Sequence, residues 1–185
     1  MWYHWFMKVF YITGISGVGK STVVEKLAER GVFPIDADSV KGLTHWINKN
    51  TKEKAEWNHG MSADWYKKHQ YICYKEKLVD LINKNPKDIV VVAGLFNNRL
   101  ELRDLFDKVF LLQCKEETFM KRIIERESHD FGKHPLDQEN ILSWYKNFER
   151  EVLEEGAILI NTDRPLEEVV EEIYKYIGLV KQELP

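Results

Sequence analysis

The sequence predicts an α/β protein, a three-layer α/β/α sandwich around a five-stranded parallel sheet, from three observations. Short apolar runs rich in β-branched residues punctuate the chain, helical patterns separate them, and a glycine-rich stretch joins the first run to the first helix. The runs are "KVFYIT" (8–13), "IVVVA" (89–93), "KVFLLQ" (108–113) and "AILIN" (157–161), with the weaker "VFPID" (32–36) as a fifth. They are continuous rather than alternating, as strands buried on both faces must be. Right-handed crossovers then place a ligand at the carboxyl ends of the strands.

Between Asp38 and Asn85 the pattern predicts mostly helix, in two pieces around the polar connection "NKNTKEKAEWNHG". "SADWYKKHQYICYKEKLVDLINKN" spaces Trp65, His69, Ile72, Leu78 and Leu81 as one helix would. A second long helix is expected over about Gln138 to Glu155, and Pro165 sits where a final helix would start. No repeat or linker divides the 185 residues. The expectation is one domain over 1–185, with a helical acceptor-binding region at about 38–85 and a lid at about 126–137.

Composition narrows the partners. A formal net charge of -3 offers nucleic acid or an anionic membrane no global attraction. The two cysteines, Cys73 and Cys114, lie within apolar or helical patterns, so a reducing cytosol fits better than a disulfide framework. "MWYHWFMK" is short and lacks a basic region, a poor signal peptide; Trp2, Trp5 and Phe6 are expected to cover an apolar patch.

"GISGVGKS" satisfies GxxxxGKS with a strand before and a helix after. Glycines let backbone amides approach phosphate oxygens, and the helix N-terminus adds its positive dipole end. Gly14, Ser16, Gly17, Val18, Gly19, Lys20, Ser21 and Thr22 form the expected cradle. Lys20 should reach the β and γ phosphates and the Ser21 hydroxyl should ligate magnesium, so ATP and Mg2+ are the implied cofactors.

The loop alone leaves switch, motor and kinase open. "PIDADSV" sets Asp36 and Asp38 at the end of the second strand. One carboxylate could hold magnesium, assigned to Asp36, while Asp38 accepts a hydroxyl proton and aligns an acceptor. Asp38 would also cap a following helix. After the fourth strand, Arg122 and Arg126 stand one turn apart, followed by a polar loop with His129, Asp130, Lys133 and His134. Such a lid could exclude water and neutralise the transferred group, or form a solvated face pairing with Glu125 and Glu127. Trp46 and His69 belong to a Trp- and His-rich stretch suited either to an acceptor pocket or to core. The third strand ends "VVVAGLFNNR" without a carboxylate, which weakens motor and AAA-type readings and leaves Gly94, Asn97, Asn98 and Arg99 to line the acceptor cleft.

In "GISGVGKST", "IDADSV", "LFDKVFLLQC", "RIIERESHDFGKHP" and "INTDRPLEEVVEEI" the chain resembles the shikimate, gluconate and adenylate kinase group of P-loop kinases. It is similar also to uncharacterised bacterial proteins labelled AAA-family ATPase or nucleoside kinase. The resemblance implies the P-loop NTPase fold with strand order 2-3-1-4-5 and a helical lid. It implies that Arg122 stacks on adenine, that Arg126 and Lys133 meet phosphates, and that Asn161 to Pro165, with Thr162, Arg164 and Pro165, form the adenine loop. The glycines and arginines that hold shikimate are not recognisable, since Leu95 and Phe96 follow Gly94, and only Arg99 and Arg103 could serve a nucleoside monophosphate.

The expected function is ATP-dependent phosphoryl transfer with Lys20, Asp38 and Arg126 as catalytic residues. The acceptor is a small metabolite or nucleoside, because an acidic pair repels an anion. Substrate contacts fall to Asp36, Asp38, Trp46, His69, Gly94, Asn97, Arg99 and Lys133. A nucleoside monophosphate kinase and a regulatory ATPase are the alternatives, and a polynucleotide kinase would need a basic channel. A monomer or homodimer without nucleic acid or membrane partners is expected.

Overall fold

The computed structural model describes residues 7–127 and 130–178, so Trp2, Trp5, Phe6 and His129 lie outside the described residues. Strands β1 (Lys8–Thr13), β2 (Phe33–Asp36), β5 (Ile89–Ala93), β6 (Lys108–Gln113) and β7 (Ile158–Asn161) form one parallel sheet in the order β2-β5-β1-β6-β7. Counting only these strands, the order is the 2-3-1-4-5 expected of the P-loop NTPase fold. Between the strands lie α1 (Lys20–Glu29), α3 (Lys75–Asn83), a 3₁₀ turn at Arg99–Leu105, α4 (Glu116–Glu125), α5 (Pro135–Glu154) and α6 (Leu166–Gly178).

Alternation along each strand feeds two apolar clusters, one on either face, which makes the three layers. Phe10, Ile12, Val91 and Phe110 meet Leu27 of α1, Phe119 of α4 and Ile173 of α6. On the other face Val9, Tyr11, Val90 and Val92 meet Leu78 and Ile82 of α3, with Phe96, Leu102 and Phe106. Each of these large side chains contributes about 1.5–3 kcal/mol by leaving water. Three of the four apolar runs thus became the interior strands β5, β1 and β6, while "VFPID" (β2) and "AILIN" (β7) form the two edges, Leu159 of β7 standing exposed.

The region between Asp38 and Asn85 is corrected by the structure. Thr44–Asn48 is a strand, β3, paired antiparallel with β4 at His69–Cys73, and a six-residue helix, α2 (Ala63–Lys68), precedes β4. The single helix predicted through Trp65, His69 and Ile72 therefore breaks at His69, whose backbone is extended at φ -122. Its ring stacks on Trp65 at 4.2 Å, and Nδ1 meets the Trp65 carbonyl at 2.8 Å. The residues after Asp38 form a turn rather than a helix, so Asp38 caps none. The later helices start and stop near the predicted points, α5 opening with Pro135 after the His134 cap.

Candidate active site

The loop from Gly14 to Lys20 links β1 to α1 at the carboxyl edge of the sheet. Gly14 and Gly17 have φ of 148° and 84°, and a Cβ on them would lie 2.6 Å from the Leu112 carbonyl oxygen and 2.5 Å from that of Phe119. Only glycine fits such backbone approach. Ile15 and Val18 anchor the loop in the core with no exposed surface, while Ser21 and Thr22 are exposed. Lys20 Nζ donates to the carbonyls of Gly14 at 2.8 Å and Ile15 at 2.9 Å, using two of an ammonium's three donors. Burial pulls its pKa down to about 8, against the raising influence of Asp38 and Asp36.

The two carboxylates are held differently. Ser21 Oγ donates to Asp36 Oδ2 at 3.0 Å, and the backbone N–H of Asp38 donates to Asp36 Oδ1 at 3.2 Å. Tyr71 of β4 donates its hydroxyl to Asp38 Oδ1 at 2.8 Å, with Thr44 Oγ1 2.6 Å from the same hydroxyl. Tyr71 is the site residue that sequence reasoning missed, because its side chain approaches Asp38 only once β3 and β4 pair. Among the described residues, His, Cys, Asp and Glu nowhere gather in a group of three able to hold a metal. A serine hydroxyl beside one carboxylate nevertheless fits magnesium, which keeps waters and substrate phosphates as most of its ligands.

Arg126 terminates α4 and lies over the loop, with Nη1 donating to Ser16 Oγ at 3.0 Å and Nη2 to the Phe131 carbonyl. Its Nε is buried without a hydrogen-bond partner among the described residues, and burial lowers its pKa. An unpaired guanidinium donor beside a phosphate loop is one that an anion would satisfy. Arg122, one turn earlier, donates to the Thr162 carbonyl at 2.9 Å and flanks Gly19. The loop of Thr162 is fastened to α4 through Asp163, which accepts from the Lys115 N–H at 2.8 Å and Thr118 Oγ1 at 2.6 Å. Those bonds hold the Asp163 carboxyl below its usual range.

Other predicted residues fall elsewhere. Arg99 grips Glu155 through Nε at 2.9 Å and Nη2 at 2.7 Å and reaches Glu151 at 3.1 Å, so its guanidinium ties the 3₁₀ turn to α5. Gly94 is buried beneath Phe96, where a Cβ would lie 2.4 Å from the ring. Asn97 pairs with the backbone of Tyr71, accepting through Oδ1 at 2.7 Å and donating through N at 2.8 Å. His69 is turned onto Trp65, Arg164 onto Glu172, and Lys133 pairs with Asp130 at 3.0 Å. Pro165 immediately precedes α6. Trp46 does reach the site's edge, its ring 5.2 Å from that of Tyr71.

The connection from α4 to α5 and the β3–β4 insert touch. Asp137, buried in the first turn of α5, accepts from the Gly60 N–H at 3.0 Å and faces His59 Nδ1 at 3.4 Å. Trp57 packs on Phe131 at 5.2 Å and donates Nε1–H to the Tyr66 hydroxyl at 2.8 Å.

A family model described as "AAA domain" matches residues 11–154, which include the glycine-rich loop, the acidic pair, the β3–β4 insert and the connection between α4 and α5. The chain belongs to the AAA domain family. The carboxylate-free end of β5 therefore does not set it apart from the family of that description. Solved structures of similar fold include a sugar kinase from Janibacter sp. HTCC2649, 17% identical over 93% of this chain and 95% of that one, TM-score 0.57. A gluconokinase from Sinorhizobium meliloti 1021 is 19% identical over 97% and 99%, TM-score 0.56. Deoxyadenosine kinase from M. mycoides with bound dATP is 13% identical over 92% and 99%, TM-score 0.55. The resemblance to small-molecule P-loop kinases holds at the level of the fold. No curated protein matches significantly. Among the described residues no helix is long and apolar enough to cross a membrane.

Proposed function

We propose that this protein is an ATP-dependent phosphotransferase that moves the γ-phosphoryl group to a hydroxyl of a small uncharged metabolite or nucleoside. The observation that carries the reading is the division between the two acids: Asp36 is joined to Ser21, while Asp38 is held apart from it by Tyr71. The first pair suits the metal side and the second carboxylate suits the acceptor side. Magnesium, when bound, supplies neutralisation of phosphate charge, and Ser21 and Asp36 are the residues that would hold it.

In the transfer, the acceptor oxygen bonds to the γ-phosphorus as the bond from phosphorus to the β,γ-bridging oxygen breaks. ADP leaves with that electron pair, and the hydroxyl proton passes to Asp38. Lys20 and Arg126 face the charge that develops, and Arg122 with the Thr162 loop flanks the base of the nucleotide. An uncharged acceptor is supported by the arginines once open to a substrate phosphate. Arg99 is spent on Glu155 and Glu151, and Arg103 donates to the Phe106 carbonyl at 2.7 Å.

The test is ADP release over a panel of nucleosides, nucleotides and polyols, with and without magnesium. The expected result is magnesium-dependent release that rises with a neutral hydroxyl compound. Release insensitive to every acceptor would instead support a regulatory ATPase, and release driven by a nucleoside monophosphate would overturn the uncharged acceptor.

A further inference from the structure

Tyr71 is held from every side. Its backbone is clasped by Asn97, N–H to Oδ1 at 2.7 Å and carbonyl from N–H at 2.8 Å. Two residues on, Asn98 clasps Cys73 with its side-chain amide alone, Oδ1 accepting from the Cys73 N–H and Nδ2 donating to the Cys73 carbonyl, both at 3.0 Å. The two asparagines follow β5, so they fasten β4 to the carboxyl edge of the main sheet, where the phosphate loop lies. The Tyr71 ring packs against Trp46, its cross-strand neighbour. Its hydroxyl is set between Thr44 at 2.6 Å and Asp38 Oδ1 at 2.8 Å.

Chemistry fixes the direction of these bonds. A carboxylate only accepts, so Tyr71 gives its proton to Asp38 and its oxygen takes one from Thr44. Burial and the neighbouring Asp38 charge raise the Tyr71 pKa, which keeps the phenol protonated and donating. One oxygen of Asp38 is thereby occupied.

We infer that Tyr71, braced by Thr44 and Asn97, is a positioning residue that orients the Asp38 carboxylate toward the acceptor hydroxyl. The inference rests on the phosphotransferase reading, in which Asp38 takes the acceptor's proton. It makes the β3–β4 hairpin a part of the reaction centre rather than an appended wall. A carboxylate free to rotate would lose the alignment, and misplacement of a reacting group by an ångström costs about a hundredfold in rate.

The experiment compares wild type, Tyr71→Phe, Asp38→Asn and the double variant, with Thr44→Ser and Thr44→Val as further controls. Phenylalanine keeps the ring packing on Trp46 and removes only the hydroxyl. Turnover of ATP is measured with water, adenosine and glycerol as probe acceptors. Tyr71→Phe should lower kcat by about ten- to hundredfold while KM for ATP stays unchanged. Adding Tyr71→Phe to Asp38→Asn should cost little more, because a positioning residue has nothing left to position. Thr44→Ser should retain turnover and Thr44→Val should lose part of it. Wild-type turnover in Tyr71→Phe, or additive losses in the double variant, would overturn the inference.

A second measurement does not depend on turnover. With tyrosine labelled at Cζ by carbon-13, and the Tyr71 resonance assigned by its absence in Tyr71→Phe, Asp38→Asn should move that resonance at neutral pH, where the phenol stays protonated, because its hydroxyl loses a charged acceptor. An unmoved resonance would overturn the contact itself. Turnover unchanged by Asp38→Asn would instead remove Asp38 from the mechanism, a failure of the phosphotransferase reading that this resonance distinguishes from a failure of the Tyr71 contact.

Discussion

Lys20 is a cation held by its own loop, and its pKa near 8 comes from burial that the two nearby acids only partly offset. Phosphate oxygens favour the charged ammonium, so nucleotide binding should take up a proton above pH 8 and weaken there, by up to about tenfold per pH unit. Calorimetry in buffers of different ionisation heat reads this uptake directly, and proton-neutral binding at pH 9 would contradict it. A second buried charge points the other way. Glu149 of α5 accepts from Gln113 at 2.6 Å through Oε2, while Oε1 is buried without a partner among the described residues, and burial raises its pKa. A raised carboxyl contributes stability below its unfolded pKa and loses it as pH rises through the folded one. Glu149→Gln should therefore gain on the wild type as pH rises above the ordinary carboxylate range, by about 2–4 °C in Tm once Glu149 is ionised. A gap that does not widen with pH would refute the assignment. The phosphate loop was legible residue by residue, since glycines at close backbone approach leave a fixed pattern. Glu149 was not, because nothing in a helical heptad tells a buried glutamate from a solvated one.

The insert shows where local pattern misleads about whole elements. Trp65, His69 and Ile72 satisfy a helical period, yet His69 to Cys73 is a strand because its partners lie far off in sequence, in Thr44–Asn48 and at Asn97 and Asn98. Periodicity is a local signal, and these bonds are not. The arginine expected in the acceptor cleft was misdirected for the same reason, since Glu151 and Glu155 lie 52 and 56 residues beyond Arg99. By contrast, the runs of β1, β5 and β6 were read correctly because burial on both faces is written along the whole of such a strand, whereas β7 forms an edge with Leu159 exposed. The insert is fastened at its other end to the first turn of α5 by Asp137. Asp137→Ala should release the segment around Gly60 while leaving the phosphate loop intact. Hydrogen exchange at the Gly60 amide should quicken by about ten- to hundredfold, the loss of one buried charged acceptor. Unchanged protection there would show that Asn140, which donates to the Met61 carbonyl at 2.9 Å, suffices.

At the scale of the molecule, one parallel sheet carries the glycine-rich loop after β1, the Thr162 loop after β7 and the acidic pair at the end of β2. The β3–β4 insert then bridges to the connection between α4 and α5, so Ser16, Arg126, Phe131, Trp57 and Tyr66 run in contact from the glycine-rich loop to the insert. The strand order was implied by the resemblance in the sequence motifs, while the half proposed to hold the acceptor, unlike the half proposed to hold the nucleotide, required the tertiary pairing of β3 with β4. The account stands on transfer from one half to the other. Its most direct test follows the label of ATP carrying a radioactive γ-phosphoryl group, incubated with magnesium and a panel of neutral hydroxyl compounds, in wild type and Asp38→Asn. The account predicts label on an acceptor with the wild type, and loss of that transfer in Asp38→Asn with nucleotide affinity retained. Label recovered from both proteins only as inorganic phosphate would contradict it.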